Sequence, residues 1–109
     1  MNKIKLYKEY NNKNIEKILI QPPLSTIKMK ELLSALSALG FEVENIAGSH
    51  YKFFHPLCPE VIIPIVPRPH GGKNEIKRGY IRSIQNAINE INERKNNILW
   101  KSVKNIHFL

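Results

Sequence analysis

Cys58 is the only cysteine in the chain, so no intrachain disulfide can staple the fold and a reducing compartment is the expectation. Nowhere does the sequence approach the roughly 20 continuous apolar residues that a membrane-spanning helix requires. Residues 1–10 mix lysine, asparagine and tyrosine and lack an apolar h-region or a small-residue cleavage site, which does not match a secretory signal. A soluble, cytoplasmic protein is expected, with no membrane partner. Internal repeats are absent, and 109 residues are too few to build two independent cores. Acidic residues are also scarce: 9 stand against 17 lysines and arginines, giving a net charge of +8. Residues 68–95 hold seven basic and three acidic side chains, whereas residues 25–67 hold three basic and four acidic. Such a surface attracts nucleic acid through counterion release or anionic membranes through the same Coulomb attraction, and it is equally compatible with a merely solvated basic surface.

The apolar residues that are present fall into readable periods. Ile15, Ile18 and Leu19 are spaced for a short helix over 14–20 that Pro22 and Pro23 end. From Ile27, apolar residues recur at Met29, Leu32, Leu33, Leu36 and Leu39, an amphipathic helix that Gly40 terminates. Phe41 and Val43 alternate with Glu42 and Glu44 as a half-buried strand would. After a turn at Ala47-Gly48-Ser49, a second strand runs from His50 to Phe54, with Tyr51 and Phe53 on one face and His50, Lys52 and Phe54 on the other. Residues Val61 to Val66 form a third strand in which Pro64 implies an edge or a bulge. The stretch 67–72 reads as a loop, and a last helix begins near Gly79 with Ile81, Ile84, Ala87, Ile88 and Ile91 as its stripe and Gln85 among its polar positions. The order helix, three strands, helix predicts an α+β two-layer sandwich, a three-stranded antiparallel sheet with two helices on one face. Residues 25–95 would form that domain, 1–24 an N-terminal extension with its short helix, and 96–109 a C-terminal tail.

Histidines concentrate in two patches, Gly48-Ser49-His50-Tyr51-Lys52-Phe53-Phe54-His55-Pro56 and Pro67-Arg68-Pro69-His70-Gly71-Gly72-Lys73. A neutral imidazole can accept a proton near neutral pH, and the surrounding lysine and arginine suit an anionic polymer. His50, His55, Cys58 and His70 together also make four potential zinc donors, with His55-x-x-Cys58 as a workable pair, although they follow no established zinc spacing. His55, before a proline, fits a turn residue better than an acid or base. Phe54 could stack an unpaired base or meet a protein partner.

The motifs in their order are similar to those of the HicA family of type II toxin-antitoxin modules. The likeness rests on Leu39-Gly40-Phe41, on Gly48-Ser49-His50 followed by Phe53, His55 and Pro56, on Ile63-Pro64, on His70-Gly71-Gly72-Lys73, and on Ile76-Lys77-Arg78-Gly79 leading into Ile81-Arg82-Ser83-Ile84. It covers about residues 25–94. This resemblance implies a fold like that of a double-stranded-RNA-binding domain and an mRNA-cleaving endoribonuclease that needs no metal or other cofactor. It implies His50 as the catalytic residue and a HicB-type antitoxin as partner, the toxin being a monomer or part of a heteromeric complex. Around His50, Gly48 and Ser49 would allow close backbone approach, and Lys52, Arg68, His70 and Lys73 would hold the phosphate. The sequence departs from the family pattern where Arg68-Pro69 separates Pro67 from His70 and where Asn74-Glu75 lengthens the link to Ile76. Two other functions fit the same residues: a non-catalytic module that grips structured RNA, and a structural partner of an antitoxin-like protein.

Overall fold

The computed structural model describes residues 13–71 and 73–99, with position 70 described in its backbone alone. Gly72, the first twelve residues, and the tail from Trp100 with Val103, Ile106 and His107 lie outside the described residues. In chain order the elements are α1 (Lys13–Leu19), β1 (Thr26–Lys28), α2 (Met29–Ala38), β2 (Glu42–Ala47), β3 (His50–His55), β4 (Cys58–Ile65), β5 (Arg68–His70), β6 (Lys73–Lys77) and α3 (Arg78–Arg94). Strands β2, β3 and β4 form one antiparallel sheet with β3 in the centre. This is the expected meander, and Pro64 does lie on an edge strand. The fold is α+β with helices α2 and α3 packed beside the sheet. No described helix is long and apolar enough to cross a membrane.

Beyond the expected elements there is a second sheet, ordered β1-β6-β5, whose three strands are short and antiparallel. Ile27 belongs to β1 rather than to the start of the helix, where it pairs with Ile76 across the sheet. Part of the expected loop over 67–72 is strand β5. Both departures have one cause: strands of three residues carry too little alternation to be told from a loop or from the first turn of a helix. The edge strand β2 is also not half-buried. All six of its residues are exposed, and Val43 keeps 46% of its surface in contact with solvent.

Helix α3 supplies the largest share of the core, with Ile81, Ile84, Ile88 and Ile91 fully buried. At about 1.5–3 kcal/mol for each buried aliphatic side chain, this stripe dominates the packing. Phe53, Ile63 and Ile65 from the larger sheet, Leu32 and Leu36 from α2, and Ile15 and Ile18 from α1 fill the same cluster. The helix at the N-terminal side is therefore part of the core that the strands and later helices share. Leu99 also belongs to this core: its N–H donates to Asn92 Oδ1 at 3.0 Å and its side chain is buried.

Gln85, expected on the polar side of its helix, is instead buried at 7% exposure. Its Nε2 donates to the carbonyls of Ile18 and Ile20 at 2.9 and 3.1 Å, and its Oε1 accepts from Gln21 Nε2 at 2.7 Å. Two carbonyls at the C-terminal end of α1, which have no intrahelical donor to meet them, are satisfied by one side chain of α3. The other end of the α1–α2 contact is ionic. Glu31 pairs with Lys17 of α1 and accepts the backbone N–H of Lys28 at 2.9 Å, closing the first turn of α2. The hydrogen bond from Lys17, then that from Lys28, holds the Glu31 carboxyl below the usual glutamate range.

Replacing Gln85 with leucine keeps the bulk and leaves the Ile18 and Ile20 carbonyls without their donor; a loss of about 1–3 kcal/mol should show as a lower midpoint in chemical denaturation, with faster proteolysis within α1. Because the Glu31 pKa is depressed in the folded state, its contribution is complete above the ordinary glutamate range and vanishes as pH falls through the lower folded value. A Glu31→Gln variant should therefore melt below the parent at neutral pH and converge on it in acid, as thermal scans across pH 2 to 7 (roughly the window set by carboxylate titration) would reveal.

Candidate active site

The turn that presents His50 is built from a few local requirements. Ala47 pairs with His50, so Gly48 and Ser49 are a two-residue hairpin loop. Gly48 has φ +56°, in the left-handed region that L side chains avoid, while nothing lies where a Cβ would be added. Backbone conformation, and not space, is what requires glycine there; a positive φ at the first central position alone is the pattern of a type II′ hairpin. Asn45, at the bulge between Asn45 and Ala47, donates from Nδ2 to the carbonyls of Gly48 at 2.9 Å and of His50 at 3.5 Å. Asn45 was not among the residues expected to matter. Its signal was an asparagine three positions before a turn glycine, where side-chain amides commonly hydrogen-bond nearby backbone.

Alternation along β3 then separates its histidines. Phe53 and His55 are buried at 1% and 6%, whereas His50 is exposed. The register places Lys52 opposite Glu44 and Pro64, and Phe54 opposite Glu42 and Ile62. His50, Lys52 and Phe54 thus share the outer face of the larger sheet, as the sequence suggested, with His50 and Lys52 about 7 Å apart along the strand. Lys52 Nζ lies 3.5 Å from Glu44 Oε1. A partly exposed pair at this separation is worth little, so the lysine is available to a stronger anion. Phe54 lines a shallow hollow of about 200 Å³ with Glu44, Lys52, Pro59 and Ile62.

His55 has a different task. Its Nδ1 accepts the Leu57 N–H at 3.1 Å, which makes Nε2 the protonated nitrogen, and Nε2 donates to the Leu39 carbonyl at 3.1 Å. That carbonyl is at the C-cap of α2. Gly40 and Phe41 complete the ending through their N–H groups to Ser37 and Leu36, at 3.0 and 2.9 Å, in a Schellman arrangement. Gly40 has φ +91°, and a Cβ there would come within 3.0 Å of His55 Nε2. The rings of His55 and Phe41 lie nearly perpendicular, 5.1 Å apart between centroids. With both nitrogens spent on backbone, His55 has no lone pair for a metal or a substrate proton. Its neighbour Cys58 is equally enclosed: burial, then the hydrogen bond to Glu60, pushes the thiol up from its ordinary pKa. Among the described residues no group of three or more metal-ligating side chains converges.

Arg68 and Lys73 stand on the β5–β6 hairpin, both exposed. Arg68 is in register with Glu75, and the backbone of His70 with Lys73; the side chain of His70 is outside the described residues. Lys73 lines a cleft of about 410 Å³ together with Lys28, Met29, Lys30, Leu33 and Asn74, a grouping the sequence did not indicate. The two sheets meet near His50, because Tyr51 pairs with Ile65, the last residue of β4, and only Val66 and Pro67 separate Ile65 from β5.

The family profile described as HicA toxin of bacterial toxin-antitoxin matches residues 29–91, more than half of the chain. The chain belongs to the HicA toxin family. No curated protein and no solved structure gives a match. The matched segment begins at the first residue of α2 and ends within α3, so in this HicA chain α1 and β1 fall before it while packing against it.

Two substitutions separate presentation from clamping. His55→Ala should destabilise the fold by about 1–3 kcal/mol for each buried partner left unmet, with a correspondingly lower thermal midpoint. Asn45→Ala should leave the midpoint within about 1 kcal/mol of the parent, as expected for exposed hydrogen bonds, but broaden the NMR signals of Gly48 to His50.

Proposed function

We propose that this HicA chain is a toxin endoribonuclease that cleaves mRNA with His50 as general base. The observation that carries the reading is the display of His50: an exposed imidazole at the first position of β3, beside a glycine turn and on the same face as Lys52. Neutral His50 would take the proton of a ribose 2′-hydroxyl. The freed oxygen attacks the adjacent phosphorus, the bond from phosphorus to the 5′ oxygen breaks, and that oxygen leaves with a proton taken from solvent or a nearby acid. The products are a 2′,3′-cyclic phosphate and a 5′-hydroxyl, and no metal enters the sequence of steps. General base catalysis of this kind is worth about 10²- to 10⁴-fold. Lys52, released from Glu44, would add charge stabilisation as the phosphorane forms, and the small turn at Gly48 and Ser49 would let the ribose-phosphate approach the backbone. Loss of mRNA would halt translation and growth in the cytoplasm, and a HicB-type antitoxin covering His50 would restore both.

Expression of the parent chain should arrest growth, and purified protein should cut RNA in the presence of EDTA. A His50→Ala variant should do neither while melting at the parent's temperature. Undiminished arrest by a folded His50→Ala protein would refute the assignment.

A further inference from the structure

The smaller sheet has one face turned to the core and one turned away, and the charges are not shared between them. Ile27 and Ile76, paired across β1 and β6, are buried at 4% and 0%. Residues one step away in register point the other way: Thr26 with Lys77, and Lys28 with Glu75. Lys73 has the parity of Glu75, and Arg68 is opposite Glu75 on β5. The outward face therefore presents Lys28, Arg68, Lys73 and Lys77 against one carboxylate. Among the described residues, the ion pair on this face is Lys77 with Glu75, at 3.9 Å. Lys30 extends the charge, since it lines the cleft that Lys28 and Lys73 share.

The outward face of the larger sheet has the opposite character. Glu42 and Glu44 stand beside Phe54 and Lys52 there, and the one lysine is already paired with Glu44. A lysine-rich composition would raise positive charge on both faces alike; here the sign changes across the molecule. His50 sits where the two faces join, because β4 passes into β5 through Val66 and Pro67, and the three steps from Ile65 to Arg68 span at most about 10 Å. A polyanion whose scissile phosphate lies at His50 is attracted to the smaller sheet and repelled from the Phe54 end.

We propose that the outward face of the smaller sheet, with Lys28, Arg68, Lys73 and Lys77, and Lys30 beside it, is a track for the sugar-phosphate backbone of RNA continuing from one side of the scissile bond. The proposal rests on RNA being the substrate. It assigns the hold on RNA to phosphate contacts without base readout, so the grip is sequence-independent and strongly dependent on salt. It also gives the glutamates of β2 a role in direction, since they disfavour the strand lying along β3 towards Phe54.

The test uses the full chain carrying His50→Ala, which prevents turnover, and a 20-nucleotide single-stranded RNA (about the length needed to cover several contacts) followed by fluorescence anisotropy over a range of salt. Adding Lys28→Gln and Lys77→Gln should weaken binding roughly 25-fold near 0.1 M salt and flatten the slope of log Kd against log salt by about 1.4, or 0.7 for each lost contact to a single strand. Glu42→Gln with Glu44→Gln should not weaken it. Circular dichroism melting confirms that each variant remains folded. An unchanged affinity and slope in the lysine variant overturns the track, as does lysine loss that spares RNA binding but abolishes neutralisation by a co-expressed antitoxin, which would assign the face to protein. Cleavage is read separately on the His50-bearing chain. Lysine-dependent binding without any cleavage supports the track and removes the ribonuclease reading; cleavage with lysine-independent binding does the reverse; no binding at all removes both.

Discussion

The inward burial of Phe53 and His55 is the constraint from which the rest follows. Side chains of a strand alternate between faces with a period of two, so a slip of one residue would exchange every inward and outward position of β3. Phe53 has a place in the aliphatic core, and His55 has two backbone partners and an aromatic neighbour at the end of α2. Neither requirement is met in the slipped register. The same two residues that anchor the strand to α2 thereby set His50 and Lys52 outward, and the glycine at position 40 serves this arrangement through its left-handed φ and through the closeness of His55.

Much of this was legible because it depends on period and on turn chemistry. The alternation of Tyr51 and Phe53 against His50, Lys52 and Phe54 assigned the faces of β3 correctly, the terminator role of Gly40 was found, and of the edge or bulge that Pro64 implied, the edge position is seen. What escaped were features that arise only when distant segments meet. Gln85 looks like any polar helix residue until α1 places two carbonyls in front of it. The smaller sheet joins β1 to strands some fifty residues away, and with three residues in β1 and β5 there is no pattern to read. Val43 misled for a related reason: alternation assigns it the face it shares with its partner Phe53, but it only borders a hollow beside α2 and, among the described residues, stays 46% exposed.

Within the histidine-rich patches the fold separates roles that composition left together. His55 is a structural clamp with a fixed tautomer, whereas His50 is exposed at a tight turn and free of that duty. The segregation of charge around it adds direction to what was only a net excess of +8: cations gather on the smaller sheet and glutamates on the outer face of the larger one. The proposed mechanism would place its general base at the boundary between those fields, where attraction for a longer anionic chain is concentrated on one side.

The proposed mechanism requires His50 to activate a ribose 2′-hydroxyl. That step can be checked by giving the purified protein an RNA that it cuts at one position and the same RNA with a single 2′-deoxyribose immediately 5′ of that bond, in EDTA, and analysing the ends by mass spectrometry. The unmodified RNA should yield a 2′,3′-cyclic phosphate and a 5′-hydroxyl, and the deoxy-substituted RNA should remain intact at that position. Cleavage of the deoxy-substituted bond, or a 5′-phosphate on the product, would contradict the mechanism.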